Sequence, residues 1–270
     1  MRRGKRGCGL MMNSKADLPN ARRLVVKVGS SSISGEREHQ MEGLVDALSV
    51  ARNRGQHVIL VSSGAIATGM PHLNLNDRPP DLATQQAAAA VGQNLLMRRY
   101  QDLFDRHGII TGQVLLTVGD LESEPHRSNA WRTIERLLGL GIVPIVNEND
   151  TVATQEIRFG DNDRLAALVA ELVEADALVL LSDVDAIYTK PPSESGAEAI
   201  DQVAIDDDLS WIHVESAVVN SVGTGGAVTK ISAAKMAAAA GIPVLVTATD
   251  QVGRSINGDG PGTWFHAAVK

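Results

Sequence analysis

Aromatic side chains are scarce: three Trp, two Tyr and three Phe make up 3% of 270 residues. A core with so few rings must be filled by aliphatic residues, and hydrophobic residues of all kinds reach 44%. That balance suits parallel strands buried on both faces beneath helices. Cysteine is nearly absent. With Cys8 alone no internal disulfide can form, and a reducing, cytoplasmic setting is expected. No stretch approaches the roughly 20 apolar residues of a membrane span. The seven histidines are scattered, with no His-x-x-x-His or His-Glu-x-x-His pair, so no protein-held metal is expected. A Gly-x-Ser-x-Gly elbow is missing, which argues against a serine hydrolase. A Walker P-loop is missing too, because Ala227-Val228-Thr229 separates Gly225-Gly226 from Lys230. The dinucleotide fingerprint fails at Val228, whose side chain would hinder the close packing that motif requires.

Charge is unevenly placed. The net charge is −7, but residues 1–20 carry five basic side chains against Asp17, which leaves −11 on the remainder. An acidic body disfavours nonspecific binding to nucleic acid or anionic membranes. The apolar stretch after Arg2 to Arg6 is too short for a secretory signal, so residues 1–20 read as a disordered basic extension. From there apolar runs and amphipathic stretches alternate. Strands are expected near 24–28, 58–61, 109–116, 142–146, 177–181 and 244–246, the last closing the series. Helices are expected near 40–54, 83–107, 127–140, 164–174 and 230–240, several stopped by a glycine. Gly92 reads as a possible weak point in the second of them. Repeated strand–crossover–strand units predict a mostly parallel sheet with helices on both faces, in a single domain of two lobes over residues 21–270.

Polar and glycine-rich punctuation falls at the expected strand ends, where open α/β sheets bind ligands. It comprises Gly29-Ser30-Ser31-Ser32, Ser62-Ser63-Gly64, Asn147-Glu148-Asn149-Asp150 and Ser182-Asp183, with Gly223-Thr224-Gly225-Gly226 ahead of the last helix. A second amide and carboxylate cluster, Gly160-Asp161-Asn162-Asp163, lies close behind the first. Desolvating such groups without partners costs on the order of a few kcal/mol each, so their density points to a polar ligand. Lys27 interrupts an apolar strand. It is either an edge-strand lysine that snorkels to water or a point charge reaching a phosphate beside the Gly29-Ser30 amides. Lys230 opens a helix, where a cation opposes the dipole unless an anion lies between them; otherwise it is a solvated surface lysine. Asp163 could cap its helix, orient both lysines, or do both.

These segments resemble the glutamate 5-kinase branch of the amino acid kinase family over about residues 24–266. The resemblance rests on Val25-Val26-Lys27-Val28-Gly29-Ser30, Val61-Ser62-Ser63-Gly64-Ala65-Ile66-Ala67-Thr68-Gly69, Val91-Gly92-Gln93, and Gly112-Gln113-Val114-Leu115-Leu116-Thr117. It is most specific in Val146-Asn147-Glu148-Asn149-Asp150-Thr151-Val152-Ala153-Thr154 and in Glu156 to Leu165, and it continues through Leu181-Ser182-Asp183 and Gly223 to Lys230. It implies a three-layer αβα sandwich with a mainly parallel, roughly eight-stranded sheet. The N-lobe would serve glutamate and the C-lobe ATP. The implied activity is ATP-dependent phosphorylation of the γ-carboxylate of L-glutamate, the first step toward proline, with Mg²⁺ carried by the nucleotide. By motif position Lys27 and Lys230 would hold the transferring phosphoryl group and Asp163 would organise them. Ser63, Gly64, Asp150 and Asn162 would bind glutamate, with Asn147 and Asp161 as further candidates. Gly29, Ser30, Ser182, Asp183, Thr224, Gly225 and Gly226 would contact ATP. A homo-oligomer and functional coupling to glutamyl phosphate reductase are also implied. Many bacterial members of the family carry a C-terminal PUA domain; as a departure from that pattern, no PUA domain is expected here. Ala186 stands where the family usually has glycine. A sibling kinase for another acid and a non-catalytic amino-acid sensor are the alternatives.

Overall fold

A computed structural model describes residues 12–153, 162–209 and 226–269. Their principal strands are β1 (Arg23–Lys27), β2 (His57–Val61), β3 (Thr111–Leu116), β4 (Val143–Glu148) and β5 (Ala177–Ser182). Four short strands follow, β6 (Ile187–Tyr188), β7 (Ala199–Ile200), β8 (Gln202–Val203) and, late in the chain, β10 (Thr263–Phe265), with β9 (Val244–Ala248) between them. The helices are α1 (Gln40–Asn53), α2 (Ala65–Gly69), α3 (Leu82–Asp105), α4 (Val118–Glu122), α5 (Glu124–Gly139), α6 (Asn162–Leu172), α7 (Ala227–Ala239) and α8 (Val252–Ile256). None of them is long and apolar enough to cross a membrane.

Eight strands form one sheet in the order β3-β4-β2-β1-β5-β9-β10-β8. From β3 to β9 every pairing is parallel; β10 runs antiparallel to β9, and β8 is parallel to β10. A mainly parallel eight-stranded sheet is therefore present, as the family resemblance implies. The series does not close at β9, however. β8 and β10 were not foreseen because two- and three-residue strands carry too little alternation to register.

Side-chain alternation assigns each strand residue to one of two helix layers. Val25, Ile59, Val61, Val146, Leu178, Leu180 and Val244 pack with the apolar sides of α5, α6 and α7. Leu24, Val26, Val58, Leu60, Ile145, Val179 and Leu181 pack with α1, α3 and α8. The result is helix, sheet, helix. Each fully buried Leu or Val in these layers contributes roughly 1.5–3 kcal/mol.

The amino-terminal expectation needs correction over its second half. Lys15–Asn20 forms a 3₁₀ helix with Leu18 fully buried. Asp17 Oδ2 accepts from the amides of Asn13 and Ser14, and buried Gln56 Nε2 donates to the carbonyls of Leu18 (3.0 Å) and Ala21 (2.7 Å). Burial of Leu18 and this side-chain clamp outweigh the polar composition. Ala186, in place of a glycine, is buried and is not among the described residues with positive φ, so the substitution strains no backbone.

Candidate active site

The chain enters the sheet at β1, moves outward through β2, and returns on the other side of β1 at β5. β1 and β5 thus flank the point where strand order reverses, the place where such sheets bind ligands. Lys27 is the last residue of β1, paired in register with Val61 and Leu180 on central neighbours. An edge-strand lysine is excluded, and Lys27 is only 3% exposed. Its parity with Val25 points it to the α6 layer, and Asp163 lies in the first turn of α6.

Asp163 Oδ1 is 2.5 Å from Lys27 Nζ, and Oδ2 is 3.5 Å from Lys230 Nζ. Thr229 Oγ1 donates to the same Oδ2 at 2.8 Å. Both Lys230 and Asp163 are buried. Burial is the largest single influence on the Asp163 carboxyl and pushes its pKa up. The charges of Lys27 and Lys230, with hydrogen bonds from Lys27 and Thr229, together outweigh it and hold the group below the usual carboxylate range. The carboxylate also lies at a helix N-terminus, where the dipole favours an anion. Lys230 sits near the N-terminus of α7, where the dipole disfavours it, so Asp163 offsets that penalty as well.

On the β5 side, Asp183 Oδ1 accepts from Ser31 Oγ (3.1 Å) and Ser32 Oγ (3.0 Å) and lies 3.0 Å from Arg37. This ties the 3₁₀ turn Ser30–Ser32 to the end of β5. A Cβ added to Gly29 would lie 3.7 Å from Lys27 Nζ, which places that turn beside the lysine. Ser182 offers its carbonyl to Thr249 Oγ1 at 3.3 Å. Gly226 is the N-cap of α7, and its carbonyl accepts from Thr229 Oγ1 at 3.0 Å. Thr224 and Gly225 lie outside the described residues, as does Asp161.

The third group occupies the ends of β2 and β4. Asn162 Nδ2 donates to Ser62 O (2.8 Å), Ser63 Oγ (2.6 Å) and Asn147 Oδ1 (3.0 Å). Asn147 Nδ2 donates in turn to Gln93 Oε1 at 2.6 Å. Tyr100, fully buried on α3, shares a 2.9 Å hydrogen bond with Ser62 Oγ. Burial drives its phenol far above the usual range, so it stays neutral. Gly64 takes φ +99°, a left-handed conformation natural to glycine, and turns the chain from β2 into α2. Asp150 is half-buried; burial, opposed by the charge of Arg78, pushes its pKa up to about 6.

The structure thus brings together Lys27, Asp163 and Lys230, sets Gly29, Ser30 and Asp183 beside them, and gathers Ser63, Asn147 and Asn162. Residues 22–248 match the sequence profile of the amino acid kinase family. The chain belongs to that family. A glutamate 5-kinase from Leifsonia xyli subsp. xyli is 63% identical to this amino acid kinase over 259 residues, 96% of each chain. One from Clavibacter sepedonicus is 63% identical over 252 residues, 93% of this chain and 97% of that protein. One from Streptomyces avermitilis is 52% identical over 265 residues, 96% of this chain and 71% of its own length.

Reading the sequence for polar strand ends overlooked what supports the site of this amino acid kinase. Gly69 and Gly92 mark where α2 crosses α3. A Cβ on Gly92 would lie 1.8 Å from Ala65 O, and one on Gly69 would lie 1.9 Å from Ala88 O. Gly92 is therefore a contact point between two backbones rather than a weak point in a helix. Gln93 was visible only inside the Val91-Gly92-Gln93 segment of the resemblance, with no role of its own, and Tyr100 was an ordinary residue of a long Ala-rich helix.

Proposed function

We infer that this chain is an ATP-dependent kinase that phosphorylates the γ-carboxylate of L-glutamate to L-glutamyl 5-phosphate, the first step of proline biosynthesis. The observation that carries the reading is the meeting of Lys27 and Lys230, far apart in sequence, on one buried carboxylate at the switch point of the sheet. High identity to glutamate 5-kinases over nearly the whole chain supports the choice of acceptor.

The chemistry suits these residue types. A glutamate carboxylate, with a reference pKa of about 4.3, is already a nucleophile at neutral pH, so no general base is required. The task is to bring two anions into line and neutralise them. Lys27 and Lys230 would hold the transferring phosphoryl group, with Asp163 fixing both ammonium groups. Ser63, Gly64, Asn147, Asp150 and Asn162, joined by Asp161, would grip glutamate on the N-lobe side. Gly29, Ser30, Ser182, Asp183, Thr224, Gly225 and Gly226 would cradle the nucleotide on the C-lobe side. No group of three or more His, Cys, Asp or Glu that could hold an ion occurs among the described residues. In this reading an Mg²⁺ would arrive on the nucleotide phosphates, where it would neutralise charge and align the transfer. A homo-oligomer belongs to the same reading. So does consumption of the hydrolysis-prone acyl phosphate by glutamyl phosphate reductase.

The test is a coupled ADP-release assay with L-glutamate, N-acetylglutamate, aspartate and UMP offered separately. Turnover with glutamate is expected; turnover with another acceptor and none with glutamate removes the assignment. Lys230→Ala is expected to lower kcat at least 100-fold while glutamate affinity by calorimetry changes less than about threefold. An unchanged kcat would refute the clamp.

A further inference from the structure

Three amides cross the carboxyl rim of the sheet from one helix layer to the other. Gln93 projects from α3, Asn147 from the end of β4, and Asn162 from the start of α6. All three are buried. An amide can face either way, but here the backbone imposes one sense. The amide N–H of Glu148 donates to Asn147 Oδ1 at 2.9 Å, so that atom must be the oxygen. The carbonyl of Ser62 accepts from Asn162 Nδ2, so that atom must be the nitrogen. Asn147 Oδ1 therefore receives Asn162 Nδ2, and Asn147 Nδ2 must find an acceptor elsewhere. Gln93 Oε1 is that acceptor, at 2.6 Å.

The imposed direction strands the two ends of the row. Gln93 Nε2 and Asn162 Oδ1 are buried and have no hydrogen-bond partner among the described residues. Stranded polar ends are costly, and a protein needing only a stable core could replace the row with apolar side chains. Position adds a second reason to look beyond stability. Gln93 follows Gly92, the close crossing of α3 with α2, and Gly64 is the N-cap of α2. The backbone of α3 thus has little freedom to move Gln93 away.

We propose that Gln93 is a positioning residue for the acid substrate: it locks the amide of Asn147 and, through it, presents Asn162 and Ser63 in one fixed geometry. This rests on the reading that these residues hold the acid acceptor. Gln93 acts through Asn147 and touches no reacting atom, so its removal should weaken acceptor binding and leave the nucleotide side alone.

The measurement is steady-state kinetics of Gln93→Met, which keeps the length and burial of the side chain and removes the acceptor oxygen. KM for glutamate is expected to rise about tenfold, with kcat and KM for ATP within twofold of wild type. In an Asn147→Ala background the same change should add less than twofold, because the partner through which Gln93 acts is already gone. Should Gln93→Met fail to fold, as judged by its melting transition, Gln93→Asn breaks the same bond by shortening the side chain and carries the same expectations. An unchanged KM for glutamate, an equal loss on the ATP side, or full additivity with Asn147→Ala overturns the proposal. If wild type turns over another acid instead of glutamate, the proposed acceptor falls, and the same variants are read with that acid. Turnover with no acid at all overturns both.

Discussion

Replacing Asp163 by Asn tests the buried charge cluster directly. The substitution keeps the shape of the side chain and its position at the start of α6, and it removes the charge that Lys27 meets at 2.5 Å and Lys230 at 3.5 Å. Asp163 is 1% exposed, so solvent screens little of the interaction. Removing one member of a buried ion pair typically costs about 3–5 kcal/mol, because the remaining charge stays desolvated. At roughly 2–4 °C per kcal/mol for a chain near this size, Tm at pH 7 should fall by about 6–20 °C. The pH dependence follows from the depressed pKa of Asp163. A carboxyl whose folded pKa lies below its unfolded value contributes stability that is complete above the unfolded value, near 3.8, and is lost only as pH falls through the folded one. Urea unfolding of wild type and Asp163→Asn should therefore give the same stability difference at pH 7 and pH 5, with shrinkage beginning only below about pH 4. Equal stabilities at pH 7, or a difference that already shrinks between pH 7 and 5, would refute the argument. Turnover should fall at least 100-fold in the same variant, since a clamp misplaced by about 1 Å can cost that much.

Gly92→Ala should disrupt the α2–α3 crossing, because its Cβ would fall 1.8 Å from Ala65 O; we expect a loss of roughly 3 kcal/mol or more, read as a drop in urea midpoint, with weaker glutamate binding. A midpoint within experimental error of wild type would show that the helices part easily. Asp150 titrates at about 6, so on the proposal that it helps to grip glutamate, KM for glutamate should climb as pH drops below 6 and its carboxylate is neutralised. Asp150→Asn should flatten that profile; a profile unchanged in the variant would assign the titration to another group. For stability the sign is opposite to that of Asp163. The folded chain binds more protons between the unfolded value and 6, so ionising Asp150 destabilises it and the Asn variant should melt above wild type at pH 7.

Much of the site was legible before any fold was known, and the reasons are local. Lys27 stood out because a cation in an apolar run is expensive, and the structure places it under the rim of a central strand. Ser63, Gly64 and Asn147 stood out because polar residues follow apolar strands only where a chain turns or binds. Other features left no local trace. Gly92 looked like a helix weakness, since a crossing helix is invisible to a window of neighbouring residues. Gln93, though part of a motif of the resemblance, carried no role, and Tyr100 looked like an ordinary helix residue, since their partners are 54 and 38 positions away. The 3₁₀ helix at residues 15–20 was missed because one buried Leu18, rather than a periodic pattern, holds it in place.

Sequence alone determined the aliphatic core, the alternation of strand and helix, and the face each strand residue takes, because these follow from periods of 2 and 3.6 within a few residues. Tertiary structure alone decided that β1 lies between β2 and β5, that the first turns of α6 and α7 close over Lys27, and that three amides line up in one direction across the rim. A hydrophobic period tells a side chain which layer to face. It carries no information about which strand will lie alongside, and the meeting of Lys27, Asp163 and Lys230 depends on that order.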